Sequence, residues 1–379
     1  MTSRREGSAA WRGRTSMQNE QERGVVGSDV FNPDMLKLAR DARELTQAEL
    51  AQKSGITQAF ISKLEHGLNT QPGDDALDRI SAALGFPRAF FFQRERALGF
   101  PHFHFRKRAK LGAKPLARIG AVINIRRQHI SKLLRSYELE VAKPIPQIDL
   151  DEAGLTPEKV AERLRAYWMV PRGPIQSVVE LIEEAGGIVI LARFGTNLLD
   201  GLSFRLEGMP PLFFMNKDVP GDRFRFSLAH ELGHMVMHSV PDEDEKMESE
   251  AHRFAAAFLM PAAEIKPYLV GAKIGNLGRV KAYWKVSIKA LIRRTHDLKI
   301  ITPSQYKFMS IQYNKVFHGE EPIDIEIENP TRLKKIVDFH RETLKYSTDD
   351  LAELLAFRPE DVERLYLGGR PGIRLVVSN

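Results

Sequence analysis

The chain contains no cysteine in its 379 residues. Disulfide frameworks, thiolate metal ligands and cysteine nucleophiles are therefore excluded, and a reducing compartment is a natural setting. Long apolar runs are missing too, and none reaches the length that spans a bilayer. The amino-terminal residues are charged and rich in Ser and Gly, with no apolar stretch behind them, so no secretory leader is expected. Repeats of the solenoid type are absent. These absences predict a soluble, cytoplasmic protein that engages no membrane.

What is present is ordinary for a globular chain. The apolar fraction is 43%, enough to bury a core, and the length suits two or three domains. The net charge of +7 favours an anionic partner without naming one. Residues 1–30 have no hydrophobic period and read as a disordered basic arm, with Met17 an alternative start. A helical module is expected over 31–93, then a basic linker and an amphipathic helix over 94–155. In that helix, Ala117–Val141, the stripe Leu133, Leu134, Tyr137 and Val141 is expected to be buried. The linker interleaves Phe100, Phe103 and Phe105 with His and Arg. Such a stretch either docks its aromatics on a neighbouring domain or contacts nucleic acid.

A second unit is predicted over 156–300. Thr156 and Pro157 open a helix as N-cap and first-turn residue. Short strands are expected at Ile188–Leu191, Gly201–Leu206 and Leu212–Asn216. Long helices follow at about Asp222–His238, Glu248–Met260 and Val280–Asp297. Residues 301–379 read as a helical regulatory or interaction domain, with an acidic alternating stretch at Glu320–Glu328. The fold class is thus mainly α with a small β-sheet (α+β). It comprises an all-α N-terminal domain, a mixed core with the small sheet and a helical C-terminal domain.

Two clusters carry chemistry. In the first, Thr46 and Glu49 form a capping box, Gly55 makes a turn, and Thr57 caps a second short helix that ends at Gly67. A short helix, a Gly turn and a second short helix suit a DNA major groove. The exposed end of the second helix carries Thr57, Gln58, Ala59, Ser62 and Lys63. Gln58 can pair with adenine, Ala59 can touch a thymine methyl, and Ser62 and Lys63 suit bases or phosphates. Gln47 begins the preceding helix, where its amide can reach a phosphate. Phe60 is either core or a groove-facing wedge. The string LTQAELAQKSGITQAFISKLEHG resembles the XRE (Cro/C1 repressor) helix-turn-helix family. That resemblance implies a lambda-repressor-like domain and binding to a double-stranded DNA operator, commonly as a homodimer.

The second cluster is His230-Glu231-Leu232-Gly233-His234. Residues four apart share a helix face, so both imidazoles can meet one ion. Zinc suits such ligands, with Mn the alternative, and Glu231 is placed to act as general base. The helix is apolar nearly all round, and burying two His and a Glu without a partner is costly. Metzincins carry a third His six residues beyond the second. Val240 stands there, which excludes that class. Glu248 is the expected third ligand, with Glu250 its competitor. His252 and His238 are expected to support the ligands from behind. The strands before this helix offer an edge for a substrate strand or are ordinary packing. Tyr283 and His296 are candidates for stabilising an oxyanion.

The strings RFRFSLAHELGHMVMH and ESEAHRFAAAFLMP are similar to the ImmA/IrrE-type metallopeptidases. His252 stands where that family usually has Asn. The resemblance implies a thermolysin-like HExxH metallopeptidase core, zinc, a ligand role for Glu248, and a protein substrate, typically a repressor whose cleavage relieves repression in a stress or mobile-element response. Two other readings use the same residues. One is a transcription factor whose peptidase-like domain only senses a ligand or metal. The other is an antitoxin acting through DNA.

Overall fold

A computed structural model describes residues 30–98, 111–238 and 245–368. The arm at 1–29, the aromatic and basic stretch from Phe100 to Arg108, and Val240 lie outside them.

The N-terminal module is built of α1 (Pro33–Ala42), α2 (Gln47–Ser54), α3 (Gln58–Glu65) and α4 (Asp74–Leu84). Local signals set its boundaries. Thr46 and Glu49 cap α2 reciprocally, Gly55 ends it in the left-handed region at φ 68°, and the Thr57 hydroxyl caps α3. Met35, Leu38, Leu50, Ile61, Leu64, Leu77 and Ile80 are buried at helical spacing. Arg40 on α1 forks onto the Glu65 carboxylate of α3 through Nε at 2.5 Å and Nη2 at 3.0 Å, fixing the angle between the two helices.

Next comes α5 (Ala113–Leu133), which starts earlier and stops sooner than the sequence suggests. Leu133 is buried, but Tyr137 and Val141 lie beyond the helix end, so they do not continue its stripe. Tyr137 instead packs edge-on against Phe339. Short α6 (Leu150–Ala153), α7 (Pro157–Tyr167) and α8 (Val178–Glu184) follow, with Thr156 and Pro157 opening α7 as expected.

The strands β1 (Ile188–Ala192), β2 (Gly201–Phe204) and β3 (Leu212–Asn216) form one sheet in the order β1-β3-β2. β3 is central, parallel to β1 and antiparallel to β2, with Ser203 opposite Phe213. Side chains alternate across the sheet, and each face closes a different core. Ile188, Ile190, Leu202, Leu212 and Phe214 join the N-terminal module and α5. Val189, Phe213 and Met215 join the helices of the second unit.

Those helices are α9 (Gly221–Met237), α10 (Glu245–Leu259), α11 (Ala262–Leu269), α12 (Ile274–Trp284), α13 (Ile288–Asp297) and α14 (Pro303–Phe317). The stretch expected as one helix over Val280–Asp297 is two. Lys285 turns left-handed at φ 53°, and the Ser287 hydroxyl caps the next helix. That Ser signal sits between two apolar periods that happen to be in phase.

The last helices are α15 (Arg332–Glu342), α16 (Thr348–Leu355) and α17 (Pro359–Tyr366). They share the first core with the N-terminal module: Ile336, Leu351 and Val362 are buried in it, and Phe357 meets Phe86 at 5.6 Å between ring centroids. The acidic stretch before them forms no strand. Its carboxylates cap the starts of helices instead. Glu321 accepts from the backbone of Ile288 and Lys289, and Glu328 from Val179. This strap crosses the start of α9 so closely that a Cβ on Gly221 would stand 2.0 Å from the Ile325 carbonyl oxygen.

Candidate metal centre and nucleic-acid interface

His230 and His234 lie one turn apart on α9, and their Nε2 atoms are 3.0 Å from each other. Glu248, in the first turns of α10, places Oε1 3.2 Å from Nε2 of His234 and Oε2 3.5 Å from Nε2 of His230. A tetrahedral ion with metal–nitrogen bonds of about 2.0–2.1 Å separates its ligand atoms by about 3.3 Å. The three spacings bracket that value, so the two imidazoles and the carboxylate fit a single zinc-sized cation. Burial pushes the His230 pKa below its ordinary value, holding the ring in the neutral form that ligates.

The pairing of α9 with α10 depends on Gly233. A Cβ there would meet the Phe254 ring at 3.0 Å and the Ala251 backbone at 3.3 Å. The fourth residue of the HExxH string is therefore small because a second helix crosses it, one turn from Glu248.

Glu231, next to His230 on α9, is 5% exposed. Ser203 Oγ donates to its Oε2 at 2.8 Å. The alternation that puts Phe213 in the second core puts Ser203 there also. Sequence reasoning missed this contact, although a Ser between Leu202 and Phe204 on a buried strand is the signal that reveals it.

Behind the ligands, His238 caps α9. Its Nδ1 is 2.9 Å from Nδ1 of His234, and its Nε2 is 3.2 Å from Glu250. Were Nε2 of His234 to hold a metal, its Nδ1 would carry the proton and donate to His238, which would donate in turn to Glu250. Glu250, weighed as a ligand, sits on this second histidine instead. His252 does not hydrogen-bond a ligand among the described residues. Its ring lies 4.8 Å from Phe226 and 6.3 Å from His230, on the wall of a cavity of about 770 Å³ that His230 and Glu248 also line. Burial lowers its pKa as well. Tyr283 stacks on Tyr268, His296 packs at a tilt against Tyr306, and neither is among the described residues lining this cavity.

In the N-terminal module, Thr57 at the cap of α3, Gln58 and Ala59 in its first turn and Lys63 in its last are exposed, and Ser62 is half-buried. Phe60 is half-buried and packs against the first core, which resolves its two readings towards packing. Gln47 is less free than its position suggests, since its Nε2 donates to Glu65 at 2.8 Å. The same carboxylate that receives Arg40 therefore also orients Gln47.

Fold and sites together define a protein with an all-α helix-turn-helix module and, on α9 and α10, two imidazoles and a carboxylate grouped as a metal ion could take them. Residues 36–91 match the helix-turn-helix family model, and residues 183–296 match the IrrE N-terminal-like domain. No curated protein and no solved structure gives a match. The chain therefore joins an XRE-type DNA-binding domain to a metallopeptidase-like domain. Among the described residues, no helix is long and apolar enough to cross a membrane.

Proposed function

We propose that this protein is a transcriptional regulator carrying a working metal-dependent endopeptidase, which cuts a partner protein, a repressor, in a stress or mobile-element response. One observation carries the reading. The Nε2 atoms of His230 and His234 stand 3.0 Å apart, each lies 3.2–3.5 Å from an oxygen of Glu248 on the next helix, and Ser203 donates to the adjacent Glu231.

His230, His234 and Glu248 are the residues that would hold the ion, zinc by ligand type and Mn as the alternative. Bound there, it supplies Lewis acidity towards water and the scissile carbonyl. The chain does the rest. Strand β2 is the sheet edge nearest α9, and a substrate segment pairing along it lies across the metal centre. Glu231 takes a proton from the attacking water and returns it to the amine as the C–N bond breaks. Ser203 fixes the carboxylate so that one oxygen stays aimed at that water. The exposed end of α3 reads a double-stranded operator, with the protein acting in the cytoplasm as a homodimer on a two-fold site.

The test is incubation of the zinc- or manganese-loaded protein with the repressor encoded beside it. Wild type is expected to release fragments. Glu231→Gln is expected to bind metal equally and release none. Equal behaviour of the two proteins removes the enzymatic reading and leaves a sensor.

A further inference from the structure

The cavity that opens on His230 and Glu248 has charged walls, and their charges are unequally occupied. Arg253 forks onto Glu158 through Nε at 2.8 Å and Nη2 at 2.7 Å. Arg293 donates to Asp297 at 2.9 Å, and Glu162 takes Lys159 at 2.6 Å. Arg294 differs. It is 5% exposed, and its Nε and Nη2 both donate to the Met260 carbonyl, at 3.1 and 2.9 Å. Among the described residues no carboxylate stands within ion-pair distance of it, and its Nη1 has no partner. A guanidinium withdrawn from water, anchored along one edge and open along the other, holds its charge in reserve.

From this we infer that Arg294 is a specificity residue that receives a carboxylate of the bound peptide, an acidic side chain or the chain end, next to the cut bond. The reasoning is one of elimination within the cavity. Its acids are committed, Glu158 to Arg253, Asp297 to Arg293, Glu162 to Lys159 and Glu248 to the metal of the proposed function, so a basic peptide group finds no free partner among them. An anion finds one. Fixed to the Met260 carbonyl, the fork loses little rotamer freedom on binding, so its charge-assisted bonds are kept as selectivity. Arg294 is carried by α13, well beyond the metal-bearing helices in sequence, and only the packing of α13 beside α10 and α11 brings it to this cavity.

The inference rests on the peptidase reading for its biological sense, but its test does not depend on cleavage. The probes are two peptide hydroxamates, each anchored at the metal centre and identical except for Glu against Gln in the residue beside the hydroxamate, with binding to the zinc-loaded full chain read by calorimetry. Wild type is expected to bind the Glu probe about tenfold more tightly, the size of one charge-assisted hydrogen bond. Arg294→Gln is expected to bind both alike, and Arg294→Lys, which keeps the charge, to retain part of the preference. Melting curves identify any variant that fails to fold, and the wild-type ratio stands without them. Equal wild-type affinity for the two probes, whether tight or undetectable, overturns the inference. A preserved Glu preference in a protein that cuts nothing overturns the endopeptidase reading alone.

Discussion

Helices α3 and α9 present their chemical groups in opposite ways. Helix α3 is eight residues long, and its chemical groups, Gln58, Ala59 and Lys63, face solvent within a single turn or two. Helix α9 is seventeen residues long and buried nearly all round, and its chemistry is completed by groups from elsewhere: Glu248 from α10 and Ser203 from β2. An operator-reading surface needs only a stable helix with the right face outwards. A metal centre needs donors brought from separate elements to within a few tenths of an ångström. The first is a property of a segment, the second of a packing arrangement.

If that contrast holds, damage should propagate differently in the two regions. Glu248→Ala should have the largest effect. It removes one of three ligands, so zinc affinity should fall by more than about 100-fold in a chelator competition, beyond the range seen for supporting residues. Operator binding should be unchanged, and a metal affinity within a few-fold of wild type would show that the centre is not the one described. The Gln58→Ala, Ser62→Ala double variant should lower operator affinity by about 10- to 100-fold, at about 1–3 kcal/mol for a good base contact. Its zinc affinity should stay at the wild-type value, as titration with a metal indicator can check. Coupling between these two sites in either direction would mean that the sheet between them transmits more than it separates.

The smallest effect sharpens where the two regions join. His129 on α5 is 1% exposed, lies 2.8 Å from the Tyr366 hydroxyl of α17 and packs 4.8 Å from Phe357. Burial pushes its pKa well below the ordinary value, with Arg126 and Lys132 acting in the same direction. The unfolded chain protonates this ring near pH 6.5, whereas the folded chain keeps it neutral. Its contribution is therefore complete above pH 6.5. It is lost as pH falls below that value, by up to about 1.4 kcal/mol per pH unit, until the folded pKa is reached. Denaturant melts at pH 7, 6 and 5 should show this slope reduced in His129→Asn. An unaltered slope would assign the acid sensitivity to other groups.

The parts legible in the sequence share a feature. The capping box of Thr46 and Glu49, the N-caps Thr57 and Thr156, and the Gly55 turn were readable because each acts within a few residues of its own backbone. The nearness of Glu248 to the two imidazoles was legible because a family motif carries that residue. Glu250 was ambiguous because spacing along α10 does not tell which carboxylate meets the ion and which meets His238. Val280–Asp297 was misread as one helix because two apolar periods ran in phase across the break at Lys285.

What the chain determined alone is therefore local: helix starts and stops, the exposed reading face of α3, and a pair of imidazoles one turn apart. What tertiary structure decided is convergence. Gly233 admits α10 against α9, sheet alternation aims Ser203 at Glu231, and helices after residue 331 complete the core of the N-terminal module. The physical reason is range. Caps and turns are settled by contacts a few bonds away, whereas a ligand shell or a shared core depends on which distant surfaces exclude water together.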